Sequence, residues 1–449
     1  MSMDKMRAWK LLEEMSFVRV AGSPEDLKTA ELLKAECDKA GVPAVIEDFE
    51  IDVVEIATAT LEVLEPEYHA YPVIGIGKTA STPDEGVIGG FQYIEDAYDA
   101  NLSDVEGKIV LLQGRMTPEV TEKLKKKGAL GYVSIGGNLY EDESIKNELR
   151  PTNAFGPDHP IPGLRIHISE AEALVRSKPT KVKLVLKNET KKATAHNVVA
   201  TLEGTDLKDE ILVFSAHCDS VPYSKGSWDN ATGSVSIMEL MHYFKEKGSR
   251  RTIKFLWAGA EEIGLVGSRK YCEAHKDELE SYIFNINFDM TGVTIGYEMC
   301  CCSTSEDTLH AIEYMAKING YPLKTELGTY SSDSSSFAGA GVPACSFARL
   351  SPRGGAEIHN HNDVMDRLDP DSFMITINFV SKLAEGIVNA PVNPIPRKLA
   401  DSVVEKLEKG KKMMMAAEEA KKKEAEEAEK AKEAAEEPKE AEAATEEKK

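Results

Sequence analysis

The chain has 449 residues, 54 Lys and Arg against 76 Asp and Glu, and a formal net charge of −22. That length exceeds the size at which single cores stop growing, so two domains and a tail are expected. The acidic balance disfavours nucleic acid, whose phosphates are bound by clustered basic side chains that release counterions.

The chain begins MSMDKMRAWKLLEEMSF, an amphipathic helical pattern with charges throughout rather than the apolar stretch of a signal peptide. No run approaches the roughly 20 apolar residues that span a bilayer, so no membrane partner is expected. The seven cysteines form no paired spacing and read as reduced thiols. A soluble, cytoplasmic protein is the expectation. In the run Cys300, Cys301, Cys302, strand neighbours point to opposite faces and cannot chelate one ion together, so buried structural thiols are expected there.

PEDLKTAELLKAECDKAGV has helical apolar spacing and ends at Gly41, and VIEDFEIDVVEIATATLEVL then reads as strands. Residues 62–189 change to short β-branched runs such as KIVLLQG and ALGYVSIGG, with one helix at PEVTEKLKKKGA, which suggests an inserted, mainly-β domain. From 190 to 395 apolar strands (ILVFSAH, TIKFLWAGA, SYIFNINFDM, VPACSFARL) alternate with amphipathic helices, the pattern of an α/β fold whose mostly parallel sheet is sandwiched by helices. Residues 1–61 are expected to join that domain. Residues 396–449, dominated by Ala, Glu and Lys, read as a charged helical or disordered tail.

The candidate chemistry sits where those strands stop. His217 and Asp219 follow one, Glu261 and Glu262 a second, and Asp289 a third, while Asp229 lies in the loop SKGSWDNATG and His359 in IHNHND. In open α/β sheets the ligand crevice lies beyond the carboxyl ends of the strands, so one crevice would gather them all. Singly, each residue has an ordinary structural reading. Together, acids at the ends of buried strands call for a compensating cation, and imidazole with carboxylate suits catalytic zinc.

The segments AHCDSVPYSKGSWDNATGS, FLWAGAEEIGLVGSRKY, NINFDMTG and YSSDSSSFAGAGVPA, followed by HNHND, closely resemble the di-zinc aminopeptidase family that includes aminopeptidase Y, in a superfamily with glutamate carboxypeptidase and the transferrin receptor. The resemblance covers roughly residues 10–60 and 190–395, and the inserted segment is similar to a protease-associated domain, expected to limit substrate length. It implies two Zn2+ per chain, with Co2+ or Mn2+ as alternatives: His217 and Asp289 on one ion, Glu262 and His359 on the other, and Asp229 bridging. It makes Glu261 the general base, acting on a peptide substrate, and Asp219 the carboxylate that orients the His217 ring. His359 is preferred to His361 because the family places an Asp four residues after the ligand, and Asp363 fits. The run Ser332-Asp333-Ser334 departs from the family's usual aromatic or His after Ser-Asp, and Tyr330 is a candidate oxyanion hydroxyl. The implied activity is removal of N-terminal residues. A carboxypeptidase or amide deacylase with the same metals stays open, as do a one-zinc glutaminyl cyclase and a non-catalytic receptor. Oligomeric state is not legible.

Overall fold

The computed structural model describes residues 3–114, 116–139, 152–153 and 158–412. These fall into two compact units, one of residues 3–53 and 190–407, the other of 54–139, 152–153 and 158–189. The division falls between Val53 and Val54, within the single strand Ala44–Glu65. Residues 401–412 are helical, and the tail expected beyond them lies outside the described residues.

The first unit is built on a mixed sheet. Its strand order is Leu323–Leu327, Tyr297–Ser303, Ala344–Leu350, Tyr282–Phe288, Leu207–His217, Arg251–Ala258 and the end of Lys181–Leu202. The four strands from Ala344–Leu350 to Arg251–Ala258 are mutually parallel. Side chains alternate between the two faces, as the period of two requires. Leu212, Phe214 and Ala216 enter one apolar cluster with the helices Lys5–Met15, Thr232–Lys247 and Pro370–Asn389; Ile211 and Val213 enter the other with Tyr271 and Phe337. Phe214 stacks on Phe255 with ring centroids 5.5 Å apart. The expected sheet sandwiched by helices is therefore present.

Register sets the site. His217 pairs with Ala258, so the chain leaves the neighbouring strand at the same level and reaches Glu261 within three residues. Ser215 pairs with Asn287, which brings Asp289 level with His217. The helix Thr232–Lys247 starts against this edge: Asn230 Nδ2 donates to Phe288 O at 2.8 Å, and its Oδ1 accepts from Gly233 N at 2.8 Å. A Cβ at Gly233 would lie 2.5 Å from Phe288 O, so only glycine lets the helix approach the strand that ends in Asp289.

Arg19 ties the N-terminal segment to the loop carrying Asp229. It is fully buried, and its guanidinium donates to the carbonyls of Met15, Phe17, Cys218, Lys225 and Gly226 at 2.6–3.0 Å. Burying a guanidinium is costly unless its donors are satisfied, and here five carbonyls satisfy them.

The second unit has its own sheet, in which Val87–Ile94, Lys108–Leu112, Gly131–Gly136 and Gly163–His167 run parallel and Val73–Gly77 pairs antiparallel to the last. It carries the expected helix, Pro118–Lys126, and a second, Ile168–Arg176. The latter was hidden in the sequence because it follows the strand Gly163–His167 with no turn residue between them, His167 serving as its N-cap. Among the described residues no helix is long and apolar enough to cross a membrane.

Candidate metal centre

Three strand ends and two loops place His217, Asp229, Glu261, Glu262, Asp289 and His359 around one cavity of about 410 Å³ in the first unit. Asp229 is the hinge of the arrangement. Its Oδ1 lies 3.1 Å from His217 Nε2 and its Oδ2 lies 3.0 Å from His359 Nε2. On one side, Asp289 Oδ1 is 3.6 Å from His217 Nε2; on the other, Glu262 Oε1 is 3.2 Å from His359 Nε2. Among the described residues these form two donor groups, His217/Asp229/Asp289 and Asp229/Glu262/His359, each with its ligand atoms within 4.8 Å of one another. Asp229 belongs to both groups. His359 rather than His361 completes the second.

The donor set fits divalent cations on chemical grounds. Three carboxylates and two imidazoles converge in a pocket where His217, Asp229 and Asp289 are at most 6% exposed, and Asp289 Oδ1 has no hydrogen-bond partner. Like charges gathered away from water are unfavourable unless a cation compensates them. None of the described residues lining the pocket is Lys or Arg. Nitrogen and oxygen donors of this kind suit zinc.

Residues 197–384 match Peptidase family M28. The matched segment holds His217, Asp229, Glu261, Glu262, Asp289 and His359. Among curated relatives, aminopeptidase YwaD of Bacillus subtilis is 28% identical over 291 residues, covering 63% of this chain and 60% of that protein's length. Human carboxypeptidase Q is 23% identical over 380 residues, covering 78% of each chain. Among solved structures, BSAP, a zinc aminopeptidase from Bacillus subtilis, superposes with a TM-score of 0.73 at 23% identity, covering 88% of this chain and 98% of that one.

Asp219 lies beside the His217 ring, as the resemblance implies, and has a further role. Its contact with His217 Nδ1 is 3.5 Å, long for a hydrogen bond. Its carboxylate also accepts the backbone N–H groups of Glu261 at 3.0 Å and Glu262 at 3.2 Å, so one buried acid fixes the turn that aims both glutamates. Replacing Asp219 by Ala should therefore lower kcat/KM and zinc affinity by roughly 10- to 100-fold, the usual cost of losing a supporting contact. Steady-state kinetics and zinc titration check this; an unchanged zinc affinity and rate would show that the turn holds without it.

Asp363 is a second supporting acid, used in the sequence only as a spacing marker for His359. It is buried and accepts from Trp228 N at 2.7 Å and Asp229 N at 3.1 Å, so the loop that bears His359 grips the backbone of Asp229. Burial pushes its carboxyl up to about 7, with the neighbouring Asp229 charge adding to the shift. Asp229 itself is driven up by burial but held well below the usual carboxylate range by the imidazoles of His217 and His359. Glu261 is pushed well above its usual range by burial, with His217 opposing and Glu262 and Asp289 reinforcing.

The backbone is strained where the site needs it. Ala260, Met290 and His359 have φ of 55°, 60° and 67°. Each adjoins or is a site residue, and left-handed backbone at non-glycine positions costs on the order of 1 to 2 kcal/mol. Tyr330 lines the cavity beside Ser331, and Asp333 is fully buried behind it. Cys300 and Cys302 share one face, their sulfurs 3.6 Å apart, and lie buried in the main core with Cys345; Cys301 is absent from that cluster.

Proposed function

We propose that this chain is a two-zinc aminopeptidase: a metal-dependent exopeptidase that hydrolyses N-terminal residues from peptides. The observation that carries the reading is Asp229, whose two oxygens face two separate imidazoles and so join two donor groups at a single carboxylate. His217 and Asp289 would hold one ion, Glu262 and His359 the other, and Asp229 both. Ions held there would act as Lewis acids toward the scissile carbonyl and the attacking water.

The chain's own residues do the rest. Glu261 lines the cavity, with its main chain clamped by Asp219. It takes the proton from the attacking water and returns it to the leaving amine, the role of a positioned general acid–base group. Leu265, Met290, Ile358 and Tyr330 supply an apolar wall for a substrate side chain. A cavity of about 410 Å³ accommodates a terminal residue and its scissile bond rather than a long stretch of peptide.

Among the described residues none lining the cavity is Lys or Arg, the groups with which a carboxypeptidase pocket would meet a free carboxylate, and this supports a free amine as the substrate's terminus. Hydrolysis of matched peptides with free and acetylated N-termini tests this. Release of the first residue from the free peptide alone, at least about tenfold faster than from the blocked one, is expected. Release from the C-terminus, or equal rates on an acylated amine, would transfer the site to the carboxypeptidase or deacylase alternative.

We place the protein in a reducing, cytoplasmic setting, a reading supported by seven free and buried thiols. The second unit is read as a protease-associated domain that limits substrate length; among the described residues neither donor group falls within it.

A further inference from the structure

The strand Leu323–Leu327 ends the sheet of the first unit, paired on one side only with Tyr297–Ser303 among the described residues. Its hydrogen-bonding direction can be read from its last bond. Gly328 N donates to Cys302 O at 3.0 Å, so alternation turns the amides and carbonyls of Lys324 and Glu326 inward and those of Thr325 and Leu327 outward. Leu323 N is already engaged with Tyr321 O at 2.8 Å, which leaves its carbonyl for an outer partner.

The side chains alternate too. Thr325 faces the covering helix Glu306–Ile318, where its hydroxyl donates to Glu313 Oε1 at 2.5 Å. Lys324 and Glu326 are exposed on the opposite face, with Lys324 Nζ lying 5.5 Å from the centre of the Tyr297 ring. An open edge of this kind is a template for another strand, and natural sheets ordinarily block it. Here the charges do not block every partner. They are self-complementary.

We propose that this edge is the contact for a second copy of the chain, with the two Leu323–Leu327 strands pairing antiparallel about a two-fold axis at Thr325. In that register Thr325 of each copy exchanges both main-chain hydrogen bonds with its mate, and Leu327 N–H meets the Leu323 carbonyl of the other copy. Lys324 then stands directly opposite Glu326 of the second copy, and Glu326 opposite Lys324, in the closely spaced non-hydrogen-bonded pairs where charge matters most. The contact is isologous, as a two-fold interface must be. A partner with an unrelated extended segment would satisfy the backbone but not both charge pairs.

The test is light-scattering mass measurement after gel filtration of the full chain at micromolar concentration. Wild type is expected at twice the chain mass. K324E places two acids opposite each other at both ends of the ladder and should shift the protein to the single-chain mass, while K324E/E326K restores opposite charges and should restore the dimer. T325P removes the central outward N–H, which an edge strand tolerates in its own fold, and should also give single chains. Unchanged zinc content and circular dichroism in each variant show that the fold survives. A wild type at the single-chain mass, a dimer indifferent to K324E, or a charge swap that fails to restore association would each overturn the proposal.

Discussion

Replacing Glu261 by Gln should lower kcat by about a hundred- to ten-thousandfold while leaving zinc content unchanged. The substitution keeps the shape of the side chain and the main-chain bond from Glu261 N to Asp219, so the turn that also carries Glu262 stays in place. What it removes is the capacity to accept a proton from water and give it to the departing amine. Neither donor group includes Glu261, so metal binding should not follow the rate. KM should change little, because the apolar wall of the cavity is untouched. A variant with near-normal turnover would take Glu261 out of the mechanism. One that lost zinc along with turnover would instead make it part of the ligand set.

Asp229→Asn should damage both halves of the site at once. Asp229 meets His217 with one oxygen and His359 with the other, at 3.1 and 3.0 Å, so among the described residues it alone belongs to both groups. The amide keeps one acceptor and turns the other position into a donor, and its lost charge can no longer offset a cation. At least one of two zinc equivalents should be lost on dialysis, with activity falling below that of Glu261→Gln. The contrast with Glu261 is the informative part: one variant separates rate from metal, and the other removes them together. Full zinc occupancy in Asp229→Asn would mean that this carboxylate does not join the two groups.

Much of this architecture was legible because buried parallel strands leave a continuous apolar signal and then stop. ILVFSAH and SYIFNINFD end on, and TIKFLWAGA ends just before, residues that the register brings to the cavity, so His217, Glu261, Glu262 and Asp289 could be named from strand ends. Supporting contacts were less legible, because they run from side chain to backbone across long separations. Asp219 reads as a partner for the ring two residues before it, and nothing in that reading shows that its oxygens also serve amides more than forty residues away. Arg19 carries no motif at all, since its role is to satisfy carbonyls of two separate segments. The left-handed turns at Ala260, Met290 and His359 are equally silent, because residues that ordinarily avoid such conformations hold them here.

Elemental analysis of the purified chain, made on the same sample used to hydrolyse amino-acid anilides with and without a chelator, tests the central claim most directly. Two zinc equivalents per chain, and release of free N-terminal residues that the chelator abolishes and zinc restores, are the expected results. A chain that binds no zinc after reconstitution, or an activity indifferent to the chelator, would contradict the assignment of His217, Asp229, Glu262, Asp289 and His359 as a metal centre.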